Sequence, residues 1–297
     1  MAMAQNGIPS TNAAGSRRVS AFALVHALPM PVWQILFFVA AIVFLLVMSF
    51  WSVKSFRLTP DFTFANWIKM YNAGYFQDTY VRTVLYAGLA AALSSLIAFP
   101  CAYGLAFKIS PAVRRLIVFT LMTPYFTSYL VRSYSWKIVL TENGVLNTVF
   151  GWVGLGPFAM TSNLFATLVG YLTLILPIVI LLQYFSLVNV DRNLIEAAHN
   201  LGAGRMRTLF RIIIPSAKIG IILAATFAFI LSFGDFVSPS FLGGNKPPTL
   251  SILMVDAVKS GSHWPRAAVV ALTMVFTLLV VAFVALTLAY GTGRRRA

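Results

Sequence analysis

Hydrophobic residues lie in long uninterrupted runs that short polar connections separate. Crossing the hydrocarbon of a bilayer takes about 20 mostly apolar residues in a helix. Six runs reach that length, at residues 32–53, 81–107, 116–139, 164–188, 217–236 and 267–290. They lack the period-two alternation of a barrel strand, and a backbone in lipid must satisfy its hydrogen bonds within the segment. The pattern therefore predicts an all-α membrane protein with six transmembrane helices.

The third run is the least regular, because Arg132 and Lys137 lie in its second half. Prolines at 100, 124 and 177 are expected to interrupt the second, third and fourth runs. Such interruptions are tolerated where neighbouring helices or a water-filled cavity satisfy the freed carbonyls. The prolines therefore favour a transporter only weakly.

Composition supports a lipid-facing surface. Of the 297 residues, 59% are hydrophobic and only 10% are charged, whereas about a quarter of the residues of a soluble domain are charged. The single cysteine, Cys101, has no partner for a disulfide or a metal cluster and is expected to be a small buried side chain.

Basic residues concentrate in alternate connections, which predicts the orientation. With the N-terminus inside, the inner segments hold 13 of the 22 Lys and Arg residues and only two acids. Positive charge concentrates on the cytoplasmic side, so both termini are predicted to be cytoplasmic. Residues 1–31 are expected to be a flexible segment and residues 291–297 a basic tail. Membrane orientation explains the excess of basic residues better than nucleic-acid binding does, because the charges do not lie along one polar face.

The inner connection at 189–216 reads as two short helices with a break. Asp191 can cap the first helix, and Gly202 can end it. A helix places Leu194, Ile195, Ala198 and Leu201 on one face, which predicts a packing surface. Arg205, Arg207 and Arg211 then give the second helix a basic side.

A family resemblance appears in this connection. Glu196-Ala197-Ala198, Gly202, Ile212 and Pro215 match the cytoplasmic signature of ABC-importer permeases at full spacing, with Ile214 where leucine is usual. The resemblance implies the six-helix fold of type I importers and a coupling helix that docks on an ATPase subunit. The residues it assigns to ATPase coupling are Glu196, Ala197, Ala198, Gly202, Arg205, Arg207 and Pro215.

Three further stretches resemble permeases of the spermidine/putrescine type. They are residues 124–136 with 143–147, residues 234–244, and residues 263–268. This resemblance implies a polyamine as the solute. Another small organic solute, such as an opine or an amino-acid-like compound, is the alternative.

Candidate residues of the solute pathway are polar or aromatic side chains near the ends of membrane spans. An acid at the end of a membrane span is expensive, so Asp235 is a functional candidate, although it can also cap the following turn. Aromatic rings offer cation–π surface to a cationic solute but also gather at membrane interfaces. Arg132 is expected to pair with Asp235 or Glu142. The candidates are Asp235, Tyr125, Ser128, Tyr129, Arg132 and Trp136.

Catalytic and nucleotide-binding motifs are missing from the sequence. There is no Gly-x-x-x-x-Gly-Lys-Ser/Thr loop, and the three histidines have no ligand spacing. The resemblance thus implies a non-catalytic subunit that binds no cofactor or metal, with ATP and magnesium on partner subunits. The implied partners are a second similar permease, two ATPase subunits and a periplasmic solute-binding protein in the bacterial inner membrane. An ion-coupled secondary transporter and a six-span membrane enzyme or assembly factor are the rivals.

Overall fold

The computed structural model describes residues 29–54, 57–260 and 263–291. The chain divides into two compact units, residues 1–45 and 46–297. Most of the expected flexible segment and basic tail, at 1–28 and 292–297, lies outside the described residues. Residues 29–31 are helical, so the expected flexible segment was drawn three residues too long.

The first described element is helix α1, Pro29–Ser49, which is long and apolar enough to cross a membrane. A π-turn interrupts its α-helical hydrogen bonding at Ile35–Val39. The helix ends four residues before the predicted end of the first span. The chain turns there and continues as an extended segment at Ser52–Lys54.

A small β-hairpin follows α1, which the all-α prediction missed. Strands β1 (Ser52–Lys54) and β2 (Arg57–Thr59) pair antiparallel, with Val53 opposite Leu58. Ser52 Oγ donates to Asp61 Oδ2 at 2.7 Å, which ties the hairpin to the next loop. Strands of three residues are too short to give a recognisable alternating pattern.

The remaining elements are helices α2 (Ala65–Tyr71), α3 (Gly74–Phe107), α4 (Pro111–Met122), α5 (Tyr129–Leu140), α6 (Val145–Trp152), α7 (Leu164–Val188), α8 (Arg192–Asn200), α9 (Arg205–Ser216), α10 (Lys218–Gly234), α11 (Val237–Phe241), α12 (Leu250–Lys259) and α13 (Trp264–Tyr290). In the described part of the chain, four helices (α1, α3, α7 and α13) are long and apolar enough to cross a membrane. Helices α9 and α10 meet at 71° and make a fifth crossing if they are one broken span.

The prediction of one continuous third span was wrong. Residues 116–139 fall on α4 and α5, which a 3-10 turn at Thr123–Phe126 separates. Each helix has 12 residues and is about 18 Å long, well short of a bilayer core of about 30 Å. Of the three prolines expected to interrupt a span, only Pro124 lies at a break, because α3 continues through Pro100 and α7 through Pro177.

Helices α3, α7 and α10 pack together as the core of the second unit. Small side chains line their contacts: Ala90 and Ala98 of α3 and Ala224 and Ala228 of α10 are fully buried beside Ile175 of α7. Without a hydrophobic force between helices in lipid, close approach through small residues supplies much of the packing energy.

Gly220 lets α10 approach α7 closely. A Cβ at this position would overlap the side chain of Ser186. Ser186 Oγ donates to the carbonyl of Ala217 at 2.9 Å, so the serine also satisfies the backbone where α10 begins.

Large apolar side chains cover the outside of the helices. On α13, Phe276, Leu279 and Phe283 share one face and are 68%, 64% and 69% exposed. Cys101 is also exposed, which contradicts the expectation of a buried cysteine. It points outward from α3 while its neighbour Ala102 faces the core. Such outward apolar faces suit lipid rather than water.

Candidate functional site

The connection between α7 and α10 holds helix α8 by the two caps that the sequence predicts. The Asp191 carboxylate accepts from the Asn193 amide at 2.9 Å at the start of α8. Gly202 follows the end of the helix with φ +77°, and its amide donates to the His199 carbonyl at 2.9 Å. The Ala203 amide closes the turn on the Ala198 carbonyl, also at 2.9 Å. Both ends of α8 are therefore fixed by local hydrogen bonds.

One side of α8 is anchored to the helix bundle. Ala198 is buried and Ile195 is half-buried. Ile195 packs on a cluster that contains Ala106 at the end of α3, Leu187 at the end of α7 and Ala217 just before α10. Helix α8 thus rests on the ends of the three core helices.

The opposite side of α8 is open. Glu196, Ala197 and Gly202 are exposed, and so are Leu194 and Leu201, at 50% and 88%. The predicted packing face was therefore right for Ile195 and Ala198 and wrong for the two leucines. Neighbouring exposed residues of α9 are Arg205, Met206, Arg207 and Pro215. The two leucines therefore add apolar area to the open side of α8.

A sharp bend follows the open surface. Helix α9 contains a π-turn at Leu209–Ile213 and meets α10 at 71°. Pro215 lies just before the bend and has no amide proton to continue the helix. Ile213 is 3% exposed and belongs to the same anchoring cluster, so the bend is packed against the core.

A polar cluster lies at the other end of α10, around Asp235. This residue is 8% exposed, and its Oδ1 accepts from the Val237 amide at 2.8 Å. Its Oδ2 accepts from the Tyr129 hydroxyl and from the Ser238 amide, the latter at 3.2 Å. The Ser251 hydroxyl donates to the Asp235 carbonyl at 2.8 Å. Asp235 therefore caps α11 and joins α5, α10 and α12 through hydrogen bonds.

Tyr129 and Arg132 lie together on α5. The Tyr129 hydroxyl contacts both Asp235 and the Ser238 hydroxyl, and the Arg132 guanidinium lies 5.6 Å from the centre of the tyrosine ring. The expected ion pair of Arg132 is not found, because two of its nitrogens, Nε and Nη1, are buried without a hydrogen-bond partner among the described residues. The Asp235 oxygens are already engaged.

The other three pathway candidates are Trp136, Tyr125 and Ser128. Trp136 is half-buried and lines a groove of about 370 Å³ together with Arg132. Tyr125 is 42% exposed, and its hydroxyl donates to the Leu174 carbonyl at 2.9 Å. Ser128 is exposed at the start of α5. The structure thus joins Tyr129 with Asp235 directly, Arg132 through the tyrosine ring, and Trp136 through the groove.

The family follows from comparison with known proteins. Residues 90–295 match the family described as "Binding-protein-dependent transport system inner membrane component". The chain belongs to this family. It is a multi-pass component of the inner membrane and an ABC-importer permease, so the secondary-transporter and membrane-enzyme rivals are set aside.

Two relatives resemble the permease over most of its length. It is 29% identical to the spermidine/putrescine permease protein PotB of Haemophilus influenzae, covering 84% of this chain and 88% of the relative. It is 28% identical to the ABC transporter permease protein YdcU of Escherichia coli, covering 97% of both chains. The fold matches a bacterial ABC transporter that imports the acidic polysaccharide alginate, with a TM-score of 0.70, 15% identity and coverage of 93% and 96%.

Sequence reasoning missed several polar groups inside the permease. Ser238 lies three residues after Asp235, a spacing typical of a capped helix start, and this signal was available in the sequence. Ser251 lies on a separate helix and gave no local signal. The Tyr171 hydroxyl is buried without a partner among the described residues, and Gln183 Nε2 donates to Ser95 Oγ at 2.8 Å.

Metal-binding side chains do not gather in the described residues. No group of three or more His, Cys, Asp or Glu side chains there could hold a metal ion. The polar cluster at Asp235 is instead built from hydroxyls, amides and one carboxylate, which are groups that exchange hydrogen bonds readily.

Proposed function

We propose that the permease carries a polyamine of the spermidine/putrescine type into the cytoplasm as one subunit of an ATP-driven importer. The observation that supports the coupling role is helix α8, which is anchored on one side and open on the other. The observation that supports the solute is the 29% identity to a spermidine/putrescine permease over 84% of the chain.

Helix α8 is the proposed contact with an ATPase subunit. Ala197 and Gly202 leave room for close approach, and the exposed Leu201 supplies apolar area. Glu196 can pair with a basic group of the ATPase, while Arg205, Arg207 and the bend at Pro215 complete the surface. ATP and Mg²⁺ bind to the ATPase subunits in this account, and the permease contributes no phosphate-binding loop.

Force on α8 is proposed to reach the membrane helices through the anchoring cluster. Because Ile195 packs on the ends of α3 and α7 and Ala198 is buried, a displacement of α8 is expected to move those helices with it. The 71° bend between α9 and α10 leads the chain from the contact surface into the core. Closure of the ATPases then rocks the helices between inward-facing and outward-facing states.

The membrane topology remains the one that the charge pattern favours. We propose six crossings, of which the third is the broken pair α4 and α5, with the coupling loop at 189–216 and both termini in the cytoplasm. Lys108, Arg114 and Arg115 then lie on the cytoplasmic side. A second permease, two ATPase subunits and a periplasmic solute-binding protein complete the importer.

The solute pathway is proposed to pass the cluster at Asp235. An ammonium group would compete with the Tyr129 hydroxyl for the carboxylate, and the exposed ring of Tyr125 offers a cation–π contact. Entry of a cation would thus loosen the hydrogen bonds that join α5 to α10. Solute binding and helix movement would be linked at one carboxylate.

Uptake into proteoliposomes tests the proposal. The permease, its ATPase and second permease are reconstituted with ATP inside and the binding protein outside, and labelled putrescine and spermidine are supplied. ATP-dependent accumulation that excess unlabelled spermidine abolishes is expected. Accumulation of an opine or amino-acid-like solute instead would overturn the polyamine assignment, and accumulation without ATP would overturn the importer.

A further inference from the structure

Helix α5 carries a groove along one side. Thr127, Val131, Arg132, Ser135, Trp136 and Val139 line about 370 Å³. Within α5, residues 131, 135 and 139 follow one another at intervals of four, which is the spacing of a ridge that can pack into the groove of a neighbouring helix. Val131 is 64% exposed, so the ridge has no covering helix within the described chain.

Two hydrogen-bond donors of Arg132 lack an acceptor inside this groove. Its Nε and Nη1 are buried and unpaired among the described residues, while the Tyr129 ring at 5.6 Å contacts the charge only through its face. A buried donor without an acceptor is strongly destabilising, and more so on a charged group. Asp235 cannot fill the gap, since its carboxylate already accepts from Tyr129 and two backbone amides.

The missing group must bring oxygen acceptors to an apolar groove. A lipid tail has none, and the ammonium groups of a polyamine carry donors rather than acceptors. A carboxylate on a helix fits both features, because Arg donates to it in a two-pronged geometry. A protein helix that carries an acidic side chain would supply both the apolar contact and the acceptors.

We propose that the second permease subunit packs along the ridge of residues 131, 135 and 139 of α5 and presents a carboxylate to Nε and Nη1 of Arg132. This inference rests on the proposed function, which supplies the second permease. It assigns Arg132 to subunit assembly, whereas the sequence placed it on the solute pathway.

Photo-crosslinking maps the contact in the intact complex. A benzophenone amino acid replaces Val131 or Ser135 in the groove, and the control replaces Leu130, which is 45% exposed on another side of the same helix and does not line the groove. Irradiation of membranes is expected to link the groove positions to the second permease and to leave Leu130 unlinked to it. Crosslinks from the groove to lipid or to the binding protein alone would overturn the assignment.

Charge substitution tests the pairing separately. Arg132→Gln is expected to lower recovery of the second permease about tenfold in affinity purification, and Arg132→Lys is expected to lower it less. Lys137→Gln, on the exposed side of α5, is the matched control and should leave recovery unchanged. The crosslinks, measured with Arg132 intact, decide the case if Arg132→Gln does not fold.

The outcomes separate this inference from the proposed function. A wild-type chain that recovers no second permease contradicts the importer itself. A wild-type chain that recovers it, with full recovery in Arg132→Gln and no groove crosslink, contradicts only the assignment of this surface.

Discussion

Gly202 offers the sharpest test of the α8 contact. Its φ of +77° lies in the left-handed region, and a Cβ there would meet nothing within 4 Å. Gly202→Ala therefore adds backbone strain without a steric clash, at about 1 kcal/mol. Gly204, two residues later, has φ −67° and equally open space, so Gly204→Ala is a control with neither strain nor clash.

The strain sets the size of the expected effect. If docking requires the turn that Gly202 forms, about 1 kcal/mol raises the dissociation constant for the ATPase about fivefold. Gly202→Asn should cost less, because asparagine tolerates this conformation, and Gly202→Val should cost more, because its branched side chain does not. Affinity for the ATPase is therefore expected to fall in the order Gly, Asn, Ala, Val at position 202.

Titration of purified ATPase subunit against the tagged permease in detergent measures the dissociation constant of each variant. Thermal unfolding of the same samples checks that the membrane helices are intact. No change in melting temperature is expected, because Gly202 is exposed and lies away from the core side chains. The reasoning fails if Gly204→Ala weakens binding as much as Gly202→Ala, or if the four residues at position 202 bind equally.

Three other substitutions test the packing. Tyr129→Phe removes the hydroxyl that bridges two helices and should lower the unfolding free energy by about 1.5–3 kcal/mol, whereas Tyr134→Phe on the exposed side of α5 should change the melting temperature little. Gly220→Ala should destabilise by about 1–3 kcal/mol through overlap with the facing serine, and Gly104→Ala, where a Cβ meets nothing within 4 Å, should not destabilise. Asn147→Ala removes two hydrogen bonds to Phe158 in the loop after α6 and one to the Thr141 carbonyl before α6, so limited proteolysis in the loop after α6 should accelerate.

Apolar length predicted the long continuous helices well. The fourth predicted span coincides with α7, Leu164–Val188, because Asn163 caps its start and polar residues follow its end. The third span failed because a hydropathy count registers apolar residues and ignores backbone direction. The chain turns at Thr123–Phe126 while remaining apolar, so only the proline at 124 signalled the break.

Local signals predicted the two ends of α8 but not its packing against the bundle. Asp191 and Gly202 act on their own turns, and both caps follow from residue type. Which side of α8 meets the bundle depends on the ends of α3 and α7, far away in sequence, so the exposure of Leu201 could not be read from helical spacing. The same limit applies to Asp235, whose partner Tyr129 lies 106 residues away.

Affinity purification from native membranes tests the central claim most directly. The tagged wild-type chain and the Gly202→Val variant are extracted in mild detergent, and the recovered proteins are identified by mass spectrometry. The account predicts an ATPase subunit and a second permease with wild type, and loss of the ATPase alone with the variant. A chain that purifies without either protein, or a variant that retains the ATPase in full, would contradict it.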